Sequence, residues 1–201
     1  FVTFLLWMLN GNAHYHNTDK ILDKTENYIL VAPHRTWWDP VYLAFATKPK
    51  QFIFMAKKEL FKNQWAGKFL KSLNAFPVDR ENPGPSTLKK PVNLLKEHKT
   101  IGIFPTGHRT SVEGAPLKRG AATIAMLGKA PILPAAYVGP KKIHGLITGQ
   151  ALIKIGKPIE MDDIPKDLKR NEKVDFLTKE IERRTTQLQK ELNEISHSLK
   201  K

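Results

Sequence analysis

The sequence predicts an α/β fold, with a mostly parallel or mixed sheet that is covered by helices. Short apolar runs alternate along the chain with longer segments of helical period, as in proteins that bury a sheet between layers of helices. Of the 201 residues, 41% are hydrophobic and 26% are charged, a balance that excludes disordered and low-complexity classes. The length predicts a single domain, residues 1–201. The absence of cysteine excludes disulfides, thiolate nucleophiles and Cys-ligated metals.

The predicted strands are short and almost continuously apolar, which is typical of strands that are buried on both faces. They cover residues 27–32, 51–56, 75–78, 100–104, 132–138 and 151–155. Turn residues follow several of these runs, such as Pro33 after the first and Pro105 after the fourth. Strands in this alternating order predict parallel pairing with helical crossovers.

The predicted helices lie between these strands. They cover residues 41–47, 60–73, 85–98, 119–127 and 166–200. Asp39 and Pro40 predict the start of the first, as N-cap and first helical residue. Trp65 and Phe69 are four residues apart, as on one face of a helix, whereas Pro91 is awkward inside the third helix. The last helix belongs to a charged tail over residues 160–201 and could divide near Asn171.

The first ten residues are almost wholly apolar and predict an N-terminal helix. Ten helical residues span about 15 Å, about half of a ~30 Å hydrocarbon core, so this segment does not cross a bilayer. It has neither the basic start nor the small-residue cleavage site of a signal peptide. A core helix, an interfacial anchor and the remainder of a longer span stay open, and we expect a membrane-associating segment over residues 1–12.

The charge is strongly positive, with 33 Lys and Arg against 19 Asp and Glu and a net charge of +14. Residues 160–201 carry ten charges of each sign, so the whole excess belongs to residues 1–159. A basic body predicts anionic partners, which are nucleic acid, an anionic membrane surface or phosphorylated substrates. A nucleic-acid-binding module is the main non-enzymatic alternative, but no zinc spacing, aromatic RNA-binding strand or recognition helix supports it.

The clearest chemical motif is His34 followed by Asp39. Five residues along a helix would turn the two side chains about 140° apart. His34 is therefore expected in the loop after the first strand, with Asp39 at the mouth of the following helix. There the carboxylate can accept the imidazole Nδ1–H, which leaves Nε2 free to take a proton from an alcohol. The alternative is a structural histidine beside an N-cap.

Three further clusters suit a phosphate. Thr106 and Gly107 lie in a turn after a strand and precede Arg109, so backbone N–H groups and a guanidinium are available together. Arg80 follows another short strand. Lys118 lies next to a predicted helix N-terminus, where the helix dipole favours anions. Each cluster taken singly is more often a solvated surface charge.

In this order the motifs resemble the four blocks of the glycerolipid acyltransferase family. The blocks are His34-x4-Asp39, Phe76…Arg80, Phe104-Pro-Thr-Gly-His-Arg109 and Ile132-Leu-Pro-Ala-Ala136. They lie within residues 27–140, and the layout is similar to that of bacterial members that acylate lysophosphatidate. Two positions depart from the pattern: Pro33 stands where Asn is frequent, and Thr106 stands where Glu is usual.

The resemblance implies that His34 is the general base and that Asp39 orients it. It also implies that Arg80, Arg109, Gly107, Thr106 and Lys118 bind the phosphate of the acceptor. Pro134 would lie at the acyl site or be structural. The implied reaction transfers an acyl group from acyl-CoA or an acyl carrier protein to lysophosphatidate, a step of phospholipid biosynthesis.

No cofactor, metal or nucleic acid is implied by the resemblance. The expected location is the cytoplasmic face of the cell membrane, bound peripherally or monotopically to an anionic surface. Two alternatives stay open: an acyltransferase for another glycerolipid acceptor, and a catalytically inactive relative that only binds membranes. A serine hydrolase is disfavoured, because the sequence contains no Gly-x-Ser-x-Gly.

Overall fold

The computed structural model of the chain describes residues 13–21, 27–36, 38–47, 52–79, 85–107, 116–140 and 150–199. These residues form a seven-stranded sheet with helices packed on both faces, which confirms the α/β prediction. The strands are β1 (Ala13–His16), β2 (Ile29–Val31), β3 (Phe52–Lys57), β4 (Ala75–Val78), β5 (Thr100–Ile103), β6 (Ile132–Val138) and β7 (Ala151–Ile155). The helices are α1 (Asp39–Ala46), α2 (Gln64–Ser72), α3 (Pro85–Lys96), α4 (Gly120–Gly128) and α5 (Arg170–Ser198).

The strand order is β1-β7-β6-β2-β5-β3-β4, and every pair is parallel except β6 with β7. Strand β2 lies at the centre, where Leu30 is in register with Gly102 of β5 and Leu133 of β6. The carboxyl ends of the parallel strands β2, β5, β3 and β4 therefore meet at one edge. Loops that follow strand ends at such an edge form the usual ligand site of an open α/β sheet.

The two faces of the sheet have separate cores. Leu30 of β2 packs on one face with α1, and its neighbours Ile29 and Val31 pack on the other face with α3, α4 and α5. Because both faces are covered, the central strand is buried throughout. This double burial explains why the run that encodes β2 is continuously apolar and does not alternate.

Three details differ from the sequence predictions. Strand β1 was not predicted, because four residues with two polar histidines on a half-exposed edge give no apolar run. Helix α5 is continuous, and Asn171 lies in its first turn instead of dividing it. Asp39 is not the N-cap of α1, because Trp38 occupies that position without a side-chain cap and Asp39 is the first helical residue.

The expected N-terminal apolar helix lies outside the described residues. Within the described part of the chain, no helix combines the length and the apolar character that crossing a membrane requires. In place of the single helix predicted over residues 60–73, the structure has a 3-10 turn (Lys58–Phe61) followed by α2. Pro91 stays inside α3, as the sequence predicted.

The guanidinium of Arg184 ties helix α5, in the charged tail, to the chain after the last strand of the sheet. Arg184 donates to the carbonyl oxygens of Lys157 (3.0 Å) and Pro158 (2.8 Å), just after β7. Its Nε also donates to Glu180 at 2.6 Å. Hydrogen bonds from Arg183 and Arg184 lower the pKa of Glu180 to about 2. The positive charges of this tail are thus partly used within the fold, as are some of those in the body, such as Lys58 with Asp79 and Lys154 with Glu191.

Candidate active site

The loop between β2 and α1 is organised around one buried carboxylate. Asp39 has no solvent exposure. Its Oδ2 accepts hydrogen bonds from the backbone N–H groups of Arg35 (2.6 Å) and Thr36 (2.9 Å), and its Oδ1 accepts one from the Thr36 hydroxyl. A carboxylate at this depth is stable only when such donors replace water. The described residues Arg35 and Thr36 therefore supply the donors that this buried carboxylate needs.

His34 shares this carboxylate. Its Nδ1 lies 3.1 Å from Asp39 Oδ2, and its side chain is 15% exposed. A carboxylate oxygen can only accept, so the Nδ1 position carries the proton. The neutral imidazole then has its lone pair on Nε2, which is the arrangement of a general base. The structure thus brings together the two residues that the sequence motif predicted to be a pair, and their catalytic role stays a prediction.

An aromatic stack fixes the plane of the imidazole. The ring of Phe104 lies 4.2 Å from that of His34 at 23°, and Phe54 lies 6.1 Å from Phe104 at 11°. Gly102 makes room for this stack, because a Cβ there would lie 2.3 Å from Phe54 Cε1. His34 is therefore held by a hydrogen bond along one ring edge and by a ring on one face.

All four tyrosines of the chain belong to the core below this loop: Tyr15, Tyr28, Tyr42 and Tyr137. Tyr42 and Tyr137 stack at 5.3 Å. Burial raises the pKa of Tyr137 above its ordinary value, and the negative charge of Asp39 raises it further. These hydroxyls therefore stay protonated at physiological pH and add no competing charge near the carboxylate.

A cavity of about 390 Å³ lies next to Phe104. It lies between the sheet and helices α3 and α4, and mostly apolar side chains line it. The lining side chains include Met55 and Ile103 from the sheet, Leu88 from α3, and Ala121 and Ile124 from α4. Phe104 both lines this cavity and stacks on His34. The cavity is thus within one aromatic ring of the imidazole.

The predicted phosphate-binding residues divide into two groups. Gly107 has a φ of 75°, and the side chain of Lys118 lies over it, 3.1 Å from where a Cβ would be. Both residues line the cavity, whereas Thr106 is buried in the same turn. Arg80 and Arg109 lie outside the described residues.

Pro134 is placed away from this cavity. It is buried within β6, in register with Val31 of β2, and its carbonyl accepts from Gly156 N–H at 2.8 Å. Its position agrees with the structural alternative, and it is not among the residues that line the cavity.

Sequence reasoning missed two residues of this site. Thr36 was passed over, although a threonine shortly before a helix commonly hydrogen-bonds to nearby polar groups. Phe104 was noted as part of a motif, but its stacking on His34 could not be predicted, because the two residues are distant in sequence and no local pattern links them.

Comparisons with known proteins identify related acyltransferases. The family model described as Acyltransferase matches residues 12–138. A 1-acyl-sn-glycerol-3-phosphate acyltransferase from Streptococcus pneumoniae is 56% identical over 167 residues, which are 82% of this chain and 62% of that protein. The enzyme of the same name from Bacillus subtilis is 43% identical over 188 residues, which are 93% of each chain.

A solved structure has a similar fold. The crystal structure of a 1-acyl-sn-glycerophosphate acyltransferase from Thermotoga maritima superposes with a TM-score of 0.67 at 20% identity, covering 96% of this chain and 80% of that one. At this identity the likeness concerns the fold, and the matches in sequence carry the assignment. This chain belongs to the Acyltransferase family.

Proposed function

We propose that the chain transfers an acyl group from a thioester to the free hydroxyl of 1-acyl-glycerol-3-phosphate, with phosphatidate as the product. The observation that carries the proposal is the pair of His34 Nδ1 and the fully buried Asp39 carboxylate, 3.1 Å apart, with Phe104 both stacked on the imidazole and lining an apolar cavity. Acyltransferases of the matching name in two bacteria support the choice of acceptor.

In the proposed reaction, His34 Nε2 takes the proton of the acceptor hydroxyl while the oxygen attacks the thioester carbonyl. The new C–O bond forms an ester, the C–S bond breaks, and the thiolate leaves with the electron pair. The imidazolium then returns its proton to the thiolate. Asp39 stabilises the imidazolium without taking the proton. The step needs no cofactor, because the thioester itself supplies the leaving group.

The surroundings of the pair support this assignment of roles. The apolar cavity suits an acyl chain, since burying each methylene contributes about 0.8 kcal/mol. Lys118, whose side chain lies over Gly107, lines the cavity, and its ammonium suits an anionic headgroup. We also predict that Arg80 and Arg109 bind this headgroup. Because the acceptor is a lipid, we place the enzyme at the cytoplasmic face of the membrane.

We expect His34→Gln to lower kcat at least about 10²-fold, the contribution of a positioned general base. The assay follows labelled acyl transfer from acyl-CoA, and separately from an acyl carrier protein, to lysophosphatidate. Glycerol-3-phosphate and lysophosphatidylcholine serve as comparison acceptors. His197→Gln is the matched control, because this exposed histidine is at the far end of α5. A His34→Gln rate above one tenth of the wild-type rate would contradict the assignment.

Thr36→Val is expected to lower kcat about tenfold and to leave the KM for the acceptor unchanged. The substitution keeps the shape but removes the hydroxyl that donates to Asp39. Leaving a buried acceptor without its donor costs about 1–3 kcal/mol, and the carboxylate would then orient the imidazole less firmly. Thr36→Ser keeps the hydroxyl and should restore kcat. Wild-type kcat in a folded Thr36→Val variant would show that this hydroxyl has no positioning role.

Ala121→Leu should shift acyl selectivity toward shorter chains. Ala121 is buried and its side chain lines the cavity, so the added atoms occupy space that an acyl chain would fill. The measurement is kcat/KM over a series of acyl thioesters, and over a series of acceptors, of increasing chain length. Leu127→Phe on the exposed face of the same helix is the control. An unchanged profile in both series would mean that the cavity does not hold the chain.

A further inference from the structure

Helix α2 exposes two large aromatic side chains to solvent. Trp65 is 83% exposed and Phe69 is 42% exposed. They are four residues apart, so they lie on the same side of the helix. The opposite side of the helix faces the protein through the buried Gly67 and the half-buried Leu70. α2 therefore has two apolar faces, of which only the one with Gly67 is covered within the described chain.

Lysines border the exposed aromatic face. Residues 60–78 contain Lys62, Lys68 and Lys71 and no acidic residue. Lys68 Nζ lies 5.8 Å from the centroid of the Trp65 ring. Within the described residues, no carboxylate lies within ion-pair distance of these three lysines. An apolar stripe between unneutralised cations is the pattern of helices that lie on anionic membrane surfaces.

The fold holds this face at the same edge of the sheet as His34. The 3-10 turn that follows β3 leads directly into α2, and Lys58 in that turn forms a 2.5 Å ion pair with Asp79 after β4. Asp79 also lines the cavity. Gly67 lets the helix approach this turn closely, because a Cβ there would lie 3.1 Å from the Phe61 carbonyl oxygen. The aromatic face is thus fixed relative to the cavity.

We propose that Trp65, Phe69, Lys62 and Lys68 form a docking surface for an anionic lipid bilayer. Trp65 and Phe69 insert at the level of the headgroups, and the lysines contact the negative charges around them. This α2 docking surface consists of other residues than the membrane-associating segment expected over residues 1–12. It extends the proposed function, because a bilayer bound there brings a lipid acceptor to the edge of the sheet that carries His34.

The composition of the surface favours a bilayer over an acidic protein as its occupant. Lysines alone would attract either partner. Tryptophan and phenylalanine at this exposure gain most from an environment that is apolar on one side and wet on the other, which a membrane interface provides. A protein partner would instead need a matching apolar groove.

Vesicle co-sedimentation of the full chain tests the proposal. Vesicles of phosphatidylglycerol with phosphatidylcholine are compared with vesicles of phosphatidylcholine alone. We expect the double variant Trp65→Ala/Phe69→Ala to bind the anionic vesicles at least about tenfold more weakly, from the apolar area that it removes. The control is Leu127→Ala, which removes a side chain of similar exposure, 38%, at the opposite edge of the sheet. It should bind within about twofold of wild type.

Charge provides an independent test. Each lysine near an anionic surface contributes about 1 kcal/mol, or about fivefold in affinity. Lys62→Gln/Lys68→Gln should therefore weaken binding to the anionic vesicles roughly twentyfold and change binding to neutral vesicles little. Thermal unfolding and turnover of a short-chain, water-soluble acceptor should stay as in wild type, so a failure of docking is distinguishable from a failure of the proposed chemistry.

Vesicle binding by Trp65→Ala/Phe69→Ala within about twofold of wild type would overturn the proposal. If the same variant also lost transfer from acyl carrier protein but not from acyl-CoA, the occupant of this surface would be an acidic protein.

Discussion

The carboxylate of Asp39 is the group on which the site depends. It is fully buried and accepts from two backbone N–H groups, a hydroxyl and an imidazole. Water could satisfy none of these lone pairs at that depth, so the loop must supply all the donors. One of them is His34 Nδ1, and the same constraint that stabilises the loop therefore fixes the tautomer of the imidazole that we propose as the base. Structure and chemistry at this site have a single physical cause.

The parallel sheet places everything else within reach of that loop. β2 ends three residues before His34, β5 ends immediately before Phe104, and β3 leads through a 3-10 turn into α2. One strand edge thus gathers the imidazole, the apolar cavity and the α2 docking surface. The cavity and the proposed docking surface are apolar, and each has lysines beside it, Lys118 at the cavity and Lys62 and Lys68 at α2, which suits a substrate with an anionic headgroup and acyl chains. In both places, an apolar surface is bordered by lysines.

The sequence predicted the parts of this molecule that depend on local pattern. Buried strands such as β2 and β6 are continuously apolar, and the pair of His34 and Asp39 needed only a loop argument to be placed together. Strand β1 was missed, because it is a half-exposed edge strand that is defined by its pairing with β7 and not by an apolar run of its own. The N-cap role expected of Asp39 was wrong. Its carboxylate accepts hydrogen bonds from the preceding loop, which offers several donors, and not from the first turn of α1. The stack of Phe54, Phe104 and His34 depends on three strands, so no local pattern encodes it.

The tautomer of His34 is the most direct measure of the central claim. In the protein labelled with ¹⁵N at histidine, two-bond correlations between ring nitrogens and carbons distinguish Nδ1–H from Nε2–H, and the His34 signals are those missing from His34→Gln. We predict that neutral His34 carries its proton on Nδ1, and that Asp39→Asn reduces this preference. A neutral His34 protonated mainly on Nε2 in the wild-type protein would contradict the account, because the nitrogen assigned as the base would then have no lone pair to offer.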